Sequence, residues 1–385
     1  MIKNNTFLIP TLMLGVFALL SMELGAMGLL PLIADFYQVS VSDAGWVVSI
    51  FALIVAFSAP ILPLLVAKYD TKKVMLVCLS IFAITSLFAA FCTNFILLLV
   101  LRAIPAFFHP IYCALAFSVA ANAMPKGQEI KGTSKIFAAV SAGMTLGIPL
   151  ASYLASKINL EFSFAFFAIL NALAFVATIF FVPSQKAEEA KSQKEQFKVL
   201  AMPVVWASIA LVVVATGAMF GFYSYMSEFL LNFTHIDFTL ISLLLLAYGL
   251  SNVVGNFIAG KAFVRSANLT LWISLFIMLV LYILLFVFGT NVLLTSLILI
   301  ILGVFAGIVN SGDHFMLTQP IPQAKEFANG LFISTANIGT TLGTALCGLF
   351  ISLEGSGFAV LASVALVVLS LIIFALRAKL LKEKI

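Results

Sequence analysis

VPSQKAEEAKSQKEQFKVLA, residues 183–202, is the only long polar segment in a chain of 385 residues. Six long apolar runs precede it, at about 7–34, 44–67, 74–93, 95–124, 136–156 and 160–182. Six follow it, at about 203–228, 238–260, 269–289, 291–317, 328–352 and 355–377. A helix crosses about 30 Å of hydrocarbon in about 20 apolar residues, so each run is long enough for one span. The runs are continuously apolar and do not alternate, which favours helices over barrel strands. The first run lies behind Lys3 as a signal peptide would. It is too long for one and lacks a small-x-small cleavage site, so it reads as a helix. The expectation is an all-α membrane protein with twelve transmembrane helices in two six-helix pseudo-repeat bundles. Residues 1–182 form the N-terminal bundle, 183–202 a cytoplasmic linker and 203–385 the C-terminal bundle.

Composition agrees with that reading. Hydrophobic residues make up 63% of the chain and charged ones 9%, with a mean hydropathy of +1.20. Soluble domains carry roughly 45–50% apolar and about 25% charged residues. A soluble enzyme, a nucleic-acid binder and a disordered scaffold are therefore excluded. Cys78, Cys92, Cys113 and Cys347 all fall inside apolar runs, without metal-ligand spacing or a disulfide framework, and read as small buried hydrophobes.

The net charge of +5 acquires meaning from where the charges lie. With the N-terminus in the cytoplasm, inner segments hold 18 of the 20 Lys and Arg residues. They include Lys68, Lys72 and Lys73, Lys261 and Arg265, and Arg377 with Lys379, Lys382 and Lys384. Outer loops hold Lys157, and Arg102 lies inside a span. This asymmetry follows the positive-inside rule and places both termini in the cytoplasm of a multi-pass inner (plasma) membrane protein. The linker's charges alternate in sign, as in a solvated amphipathic segment.

The halves echo each other. Gly143 and Gly147 in the fifth run match Gly339 and Gly343 in the eleventh, each 196 positions on. Such repeats suit a transporter built of two bundles around a central site. Within the fifth run, Gly143, Gly147 and Ala151 form a small-residue stripe that permits close helix contact, and Pro149 adds a bend.

An ionisable side chain inside hydrocarbon costs at least about 2.5–3.5 kcal/mol, which makes each one a candidate. Glu23 lies about ten residues from the outer end of the first run, roughly 15 Å deep at 1.5 Å per residue. Arg102 lies at roughly 10 Å by the same measure, so the two are expected to face each other. Glu23 reads as a carboxyl that binds and releases a proton, or else as half of a static ion pair. Asp313, followed by His314, sits near the inner end of the tenth run, where cytoplasmic water is expected to reach it. Glu228 is expected to be solvated at an outer helix end. His109, between Pro105 and Pro110, lines a cavity or satisfies backbone groups that the prolines free. Asn252, Asn256 and Asn310, with Asn171 and Asn337, offer hydrogen bonds to a polar substrate or only to neighbouring helices.

MELGAMGLLPLIADFYQVSVSDAGW (22–46), APILPLLVAKYDTKK (59–73), LRAIPAFFHP (101–110) and GMTLGIP (143–149) together resemble the major facilitator superfamily. Within it the likeness is to the drug:proton antiporter group related to arabinose efflux permeases, and it covers essentially the whole chain. The first segment resembles that group's opening, with its membrane glutamate at Glu23. The second occupies the place of the inner-loop motif Gly-x-Leu-Ala-Asp-Arg-x-Gly-Arg-Lys. There Pro63 replaces the first Gly and Ala67 the Asp, while Lys68, Asp70, Lys72 and Lys73 keep a charged pattern. The third resembles the motif built around Arg102. The fourth matches the antiporter motif Gly-x-x-x-Gly-x-Pro at Gly143, Gly147 and Pro149, which in this superfamily marks export.

The resemblance implies a monomeric secondary transporter, not an enzyme, that exports a small molecule such as a drug or sugar against proton entry by alternating access. Glu23 and Arg102 are then the proton-coupling residues. No phosphate-binding Gly-rich loop occurs in a cytoplasmic segment, and no metal, nucleotide or redox cofactor is expected. The expected partners are the substrate, protons and the lipid bilayer, and not nucleic acid. Two alternatives stay open: a uniporter or uptake symporter in which Glu23 binds substrate, and a non-transporting membrane sensor with the same fold.

Overall fold

Among the described residues of the computed structural model, eleven helices are long and apolar enough to cross a membrane. The structure describes residues 6–66, 68–125, 128–184, 200, 202–321 and 325–382. Most of the expected linker, Ala67, and the basic residues Lys3, Lys126, Lys186, Lys191, Lys194, Lys198 and Lys384 lie outside the described residues. The helices are α1 (Leu8–Tyr37), α2 (Val41–Ser58), α3 (Thr71–Ala90), α4 (Phe95–Asn122), α5 (Lys131–Lys157) and α6 (Leu160–Phe181), then α7 (Pro203–Phe233), α8 (Phe238–Phe288), α9 (Val292–Thr318), α10 (Phe327–Glu354) and α11 (Ser356–Leu380).

The long helix α8 accounts for the twelfth span. Its 51 residues would reach about 76 Å at 1.5 Å per residue, more than twice a bilayer core. Ser266 breaks it with extended backbone angles (φ −163°, ψ 102°). Two spans are therefore joined by a one-residue joint where the sequence predicts an eight-residue loop at 261–268. The Ser266 hydroxyl accepts a hydrogen bond from Leu269 N at 3.3 Å and so caps the second arm. Polar residues cap other helix starts in the same way. Asp70 accepts from Lys73 N, Asn94 from Leu97 N, Asn159 from Phe162 N and Asn291 from Leu294 N. Each satisfies one backbone donor that the helix leaves over.

The chain divides into two compact units, Met1–Leu29 with Phe57–Lys191, and Leu30–Ala56 with Ser192–Ile385. In the first unit the glycine stripe of α5 lies on α1. A Cβ on Gly143 would stand 2.6 Å from Leu20 Cβ and 3.4 Å from Phe17 O, and one on Gly147 would stand 2.8 Å from Ser21 Cα. No side chain fits there, and the two backbones touch. α3 packs along α6, and Lys72 Nζ ties them by donating to Ile179 O at 2.6 Å.

In the second unit α10 lies on α7 by the same contact. Gly339 meets Val213 O and Thr216, and Gly343 meets Gly217. Val213, Thr216 and Gly217 stand 196 positions beyond Phe17, Leu20 and Ser21, so the repeat is realised contact for contact. Within the same unit, α2 runs beside α10 and α7. Ser334 Oγ donates to Ala56 O at 2.6 Å, and Thr341 Oγ1 to Ser49 O at 3.4 Å. The Tyr225 hydroxyl stands against both Gly45 and Gly348, where any Cβ would collide with it.

Candidate functional site

In the first unit α1 changes from α-helix to a 3-10 turn at Ala26–Leu29. The i→i−4 ladder changes register there, immediately after the carbonyls of Met22 and Glu23. Arg102, on α4, donates to both: Nη1 to Met22 O at 2.6 Å and Nη2 to Glu23 O at 2.8 Å. Nη1 also lies 3.2 Å from the Met22 sulfur. Arg102 and Glu23 do meet: the guanidinium hydrogen-bonds the glutamate's backbone carbonyl and also interacts with its carboxylate as a charge.

The carboxylate also meets a base. Glu23 Oε2 lies 3.1 Å from His109 Nε2, an acid and a base in hydrogen-bond reach inside the span helices α1 and α4. His109 stands seven residues beyond Arg102, two turns along the same face of α4. Pro105 and Pro110 flank it within the helix. The Cys113 thiol lies 3.7 Å from the same ring nitrogen. The Glu23 side chain keeps 12% of its surface exposed. The arrangement can share one proton between carboxylate and imidazole.

The second unit's acid is different. Asp313 on α9 has no exposed surface, which corrects the expectation that cytoplasmic water reaches it. The Thr216 hydroxyl is the side chain within reach of its carboxylate. His314 points away to Asn329 Oδ1 at 3.0 Å. Asn252, Asn256 and Ser311 bind one another between α8 and α9. Asn256 Nδ2 donates to Asn252 Oδ1 at 3.3 Å, and Ser311 Oγ to Asn256 Oδ1 at 2.7 Å. They join two helices here, while Asn310 is half-buried on α9. Glu228 is buried, where solvation was expected, because Asn232 and Ser356 both donate to its Oε1.

Sequence reasoning missed one residue. Arg377 reads as a basic residue ending the twelfth run, yet it is buried. Its Nε donates to Ser208 Oγ at 2.8 Å, its Nη2 to Met316 O at 2.8 Å, and its Nη1 lies 3.1 Å from the Met316 sulfur. Met316 O belongs to the last turn of α9, whose carbonyls have no partner within the helix. The available signal was an arginine still flanked by apolar residues, LIIFALRAKL.

The inner-loop residues form a separate group. Asp70 caps α3 and takes a hydrogen bond from Ser184 Oγ. The Ser184 hydroxyl, followed by the Lys73 backbone N–H, holds its carboxyl below the usual carboxylate range. Lys68 and Lys73 line a cleft beside it.

The family model described as Major Facilitator Superfamily matches residues 12–324. The chain belongs to the major facilitator superfamily. It is 26% identical over 347 residues to the inner membrane transport protein YdhP of Escherichia coli K12, covering 90% of this chain and 89% of the relative. It is 24% identical over 330 residues to the purine ribonucleoside efflux pump NepI of Salmonella paratyphi B, covering 86% and 83%. Among solved structures, a bacterial homologue of the human lysosomal transporter Spinster, inward-facing and unoccupied, superposes with a TM-score of 0.79 at 15% identity, covering 98% and 97%. This member of the superfamily is thus a multi-pass membrane transporter of small solutes with the major facilitator fold, and not an enzyme.

Proposed function

We propose that this transporter exports a small molecule in exchange for protons, and that Glu23 with His109 is the coupling site. The carrying observation is the 3.1 Å contact between carboxylate and imidazole on two span helices. Export is supported by the antiporter motif at Gly143, Gly147 and Pro149, and by an efflux pump among the relatives. Both termini and the linker face the cytoplasm, and residues 1–182 and 203–385 are the two pseudo-repeats. A reporter fused after Ile385 should read cytoplasmic, and one inserted at Thr234–Asp237 external.

With the site open outward, a proton from the acidic side lands on the Glu23 carboxylate. The neutral acid loses its charge attraction for His109 and for any cationic substrate, and the substrate leaves. With the site open inward, the proton departs to the cytoplasm and the restored carboxylate favours the next substrate. Arg102 is a positioning residue: held on the carbonyls of Met22 and Glu23, it keeps α1 in register with His109.

The test uses purified protein in proteoliposomes that enclose a pH-sensitive dye. Purine ribonucleosides, pentoses and lipophilic cations are added in turn. Wild-type protein should move protons on addition of at least one class, and Glu23→Gln, which keeps the shape and removes the titration, should move none. Equal proton movement by both proteins would place the coupling elsewhere. Solute flux without proton movement in the wild type would make the protein a uniporter.

A further inference from the structure

Where α2 connects to α3, the first unit has a cleft of about 820 Å³. That is within the roughly 300–1,000 Å³ of typical small-molecule sites. Its lining combines Lys68, Tyr69 and Lys73 with the apolar Val77, Phe108 and Ile111. Val77 lies four residues beyond Lys73 on α3, about 6 Å deeper along the helix axis. The cleft therefore runs from charge to hydrocarbon over the height at which a bilayer does the same.

Three neighbouring observations put that polar end at the membrane boundary. The short helix Leu62–Val66 just before it buries none of its residues and exposes Leu64 and Leu65. Tyr69 is 55% exposed, with the Lys68 ammonium 5.3 Å from its ring centroid, and tyrosines favour the headgroup level. Val77 is 50% exposed on the flank of α3. One acid also lines the cleft, Asp70, but both its oxygens are engaged, by Lys73 N and the Ser184 hydroxyl. Lys72, the third lysine of the segment, is committed to Ile179 O. Lys68 and Lys73 remain as the cationic pair of the cleft.

We propose that this cleft binds an anionic phospholipid, its headgroup phosphate between Lys68 and Lys73 and an acyl chain along Val77, Phe108 and Ile111. Basic pockets between transmembrane helices recognise anionic headgroups in this way, and a lysine reads the phosphate as a point charge. A zwitterionic lipid fits the apolar wall equally but offers the pair no net charge. Free phosphate satisfies the lysines and leaves the wall unused. The proposal is independent of the proton-coupling reading, because it needs neither Glu23 nor transport.

The test is native mass spectrometry of the delipidated full-length protein, titrated separately with phosphatidylglycerol, phosphatidylcholine and inorganic phosphate. Wild-type protein should retain phosphatidylglycerol over phosphatidylcholine, and millimolar phosphate should not displace it. The variant Lys68→Gln/Lys73→Gln should bind phosphatidylglycerol roughly ten- to thirtyfold more weakly, and Lys68→Arg/Lys73→Arg should restore it. Should the Gln variant fail to fold, a tryptophan placed at Val77 in the otherwise wild-type chain serves instead. Its fluorescence should be quenched by bromine-labelled phosphatidylglycerol more strongly than by bromine-labelled phosphatidylcholine. Equal retention or equal quenching by the two lipids would overturn the proposal, as would an unchanged Gln variant. Displacement by phosphate would make this a site for a free anion and overturn the lipid.

Discussion

The two units use one packing plan and two different chemistries. Gly143 and Gly147 press α5 onto Phe17–Ser21, and Gly339 and Gly343 press α10 onto the residues 196 positions on. Each unit also buries one arginine that reaches a methionine carbonyl and sulfur: Arg102 on Met22 and Arg377 on Met316. The acids break the symmetry. At the same offset Glu23 faces Met219 and His109 faces Phe305, so the acid–base pair has no counterpart. Asp313 in turn corresponds to Phe117. The repeat was kept where backbones touch, since any side chain there collides. On the proposed reading, coupling chemistry sits in one half of a symmetric scaffold.

The sharpest way to break this contrast is to neutralise each acid. Glu23→Gln should abolish proton-driven transport, while Asp313→Asn, in a site closed to water, should leave it in place. Proton flux measured on both variants side by side decides it, and the reverse outcome would move the coupling site to the second unit. Next come the arginines. Lysine cannot reproduce the fork, and a hydrogen bond to a charged group is worth about 1.5–3 kcal/mol, so both Arg102→Lys and Arg377→Lys should lower the unfolding temperature in detergent. Arg102→Lys alone should also impair coupling, because it loosens α1 beside His109. If both impair coupling equally, the asymmetry fails.

The glycines test the shared plan. Overpacking typically costs 1–3 kcal/mol, and Gly343→Ala should exceed Gly147→Ala. Its new Cβ meets the rigid carbonyl of Gly217, whereas that at Gly147 meets Ser21 Cα at 2.8 Å. Gly147→Leu should still insert but lose transport, since it displaces the helix that carries Glu23. Equal thermal stability of the two alanine variants would show that the halves yield differently from their geometry.

The smallest effect concerns the caps. Asp70 and Ser266 stand 196 positions apart and cap the equivalent helix starts through Lys73 N and Leu269 N. Replacing such a cap by alanine costs about 0.5–2 kcal/mol. Asp70→Ala should destabilise at neutral pH. Because the folded carboxyl titrates below its unfolded value of about 3.9, this contribution is complete above that pH and fades as pH falls through the folded value. The stability difference between wild type and Asp70→Ala should therefore shrink in strong acid, and that of Ser266→Ala should not.

The spans were legible in the sequence because each had to satisfy its backbone within itself, which leaves a long apolar run as its trace. Glu23 was legible because a charge in hydrocarbon is costly. Its partner was not, for choosing between Arg102 and His109 requires the rotation of α4 against α1, and both lie on one face. Arg377 was hidden by the habit of ending a run at its first basic residue. The depth of Asp313 is not legible along the chain, because burial comes from neighbours distant in sequence such as Thr216 on α7. The joint at Ser266 looks like a loop in the sequence because Lys261 and Arg265 are charged, yet both are exposed on the end of a helix.

That joint also bears on how the protein is made. Two spans separated by a single extended serine have no slack with which to enter the bilayer one after the other. Once the first arm of α8 is threaded, the second is already at the membrane surface, and the hairpin goes in as one piece. The same lack of slack leaves a protease no open strand to grip between them.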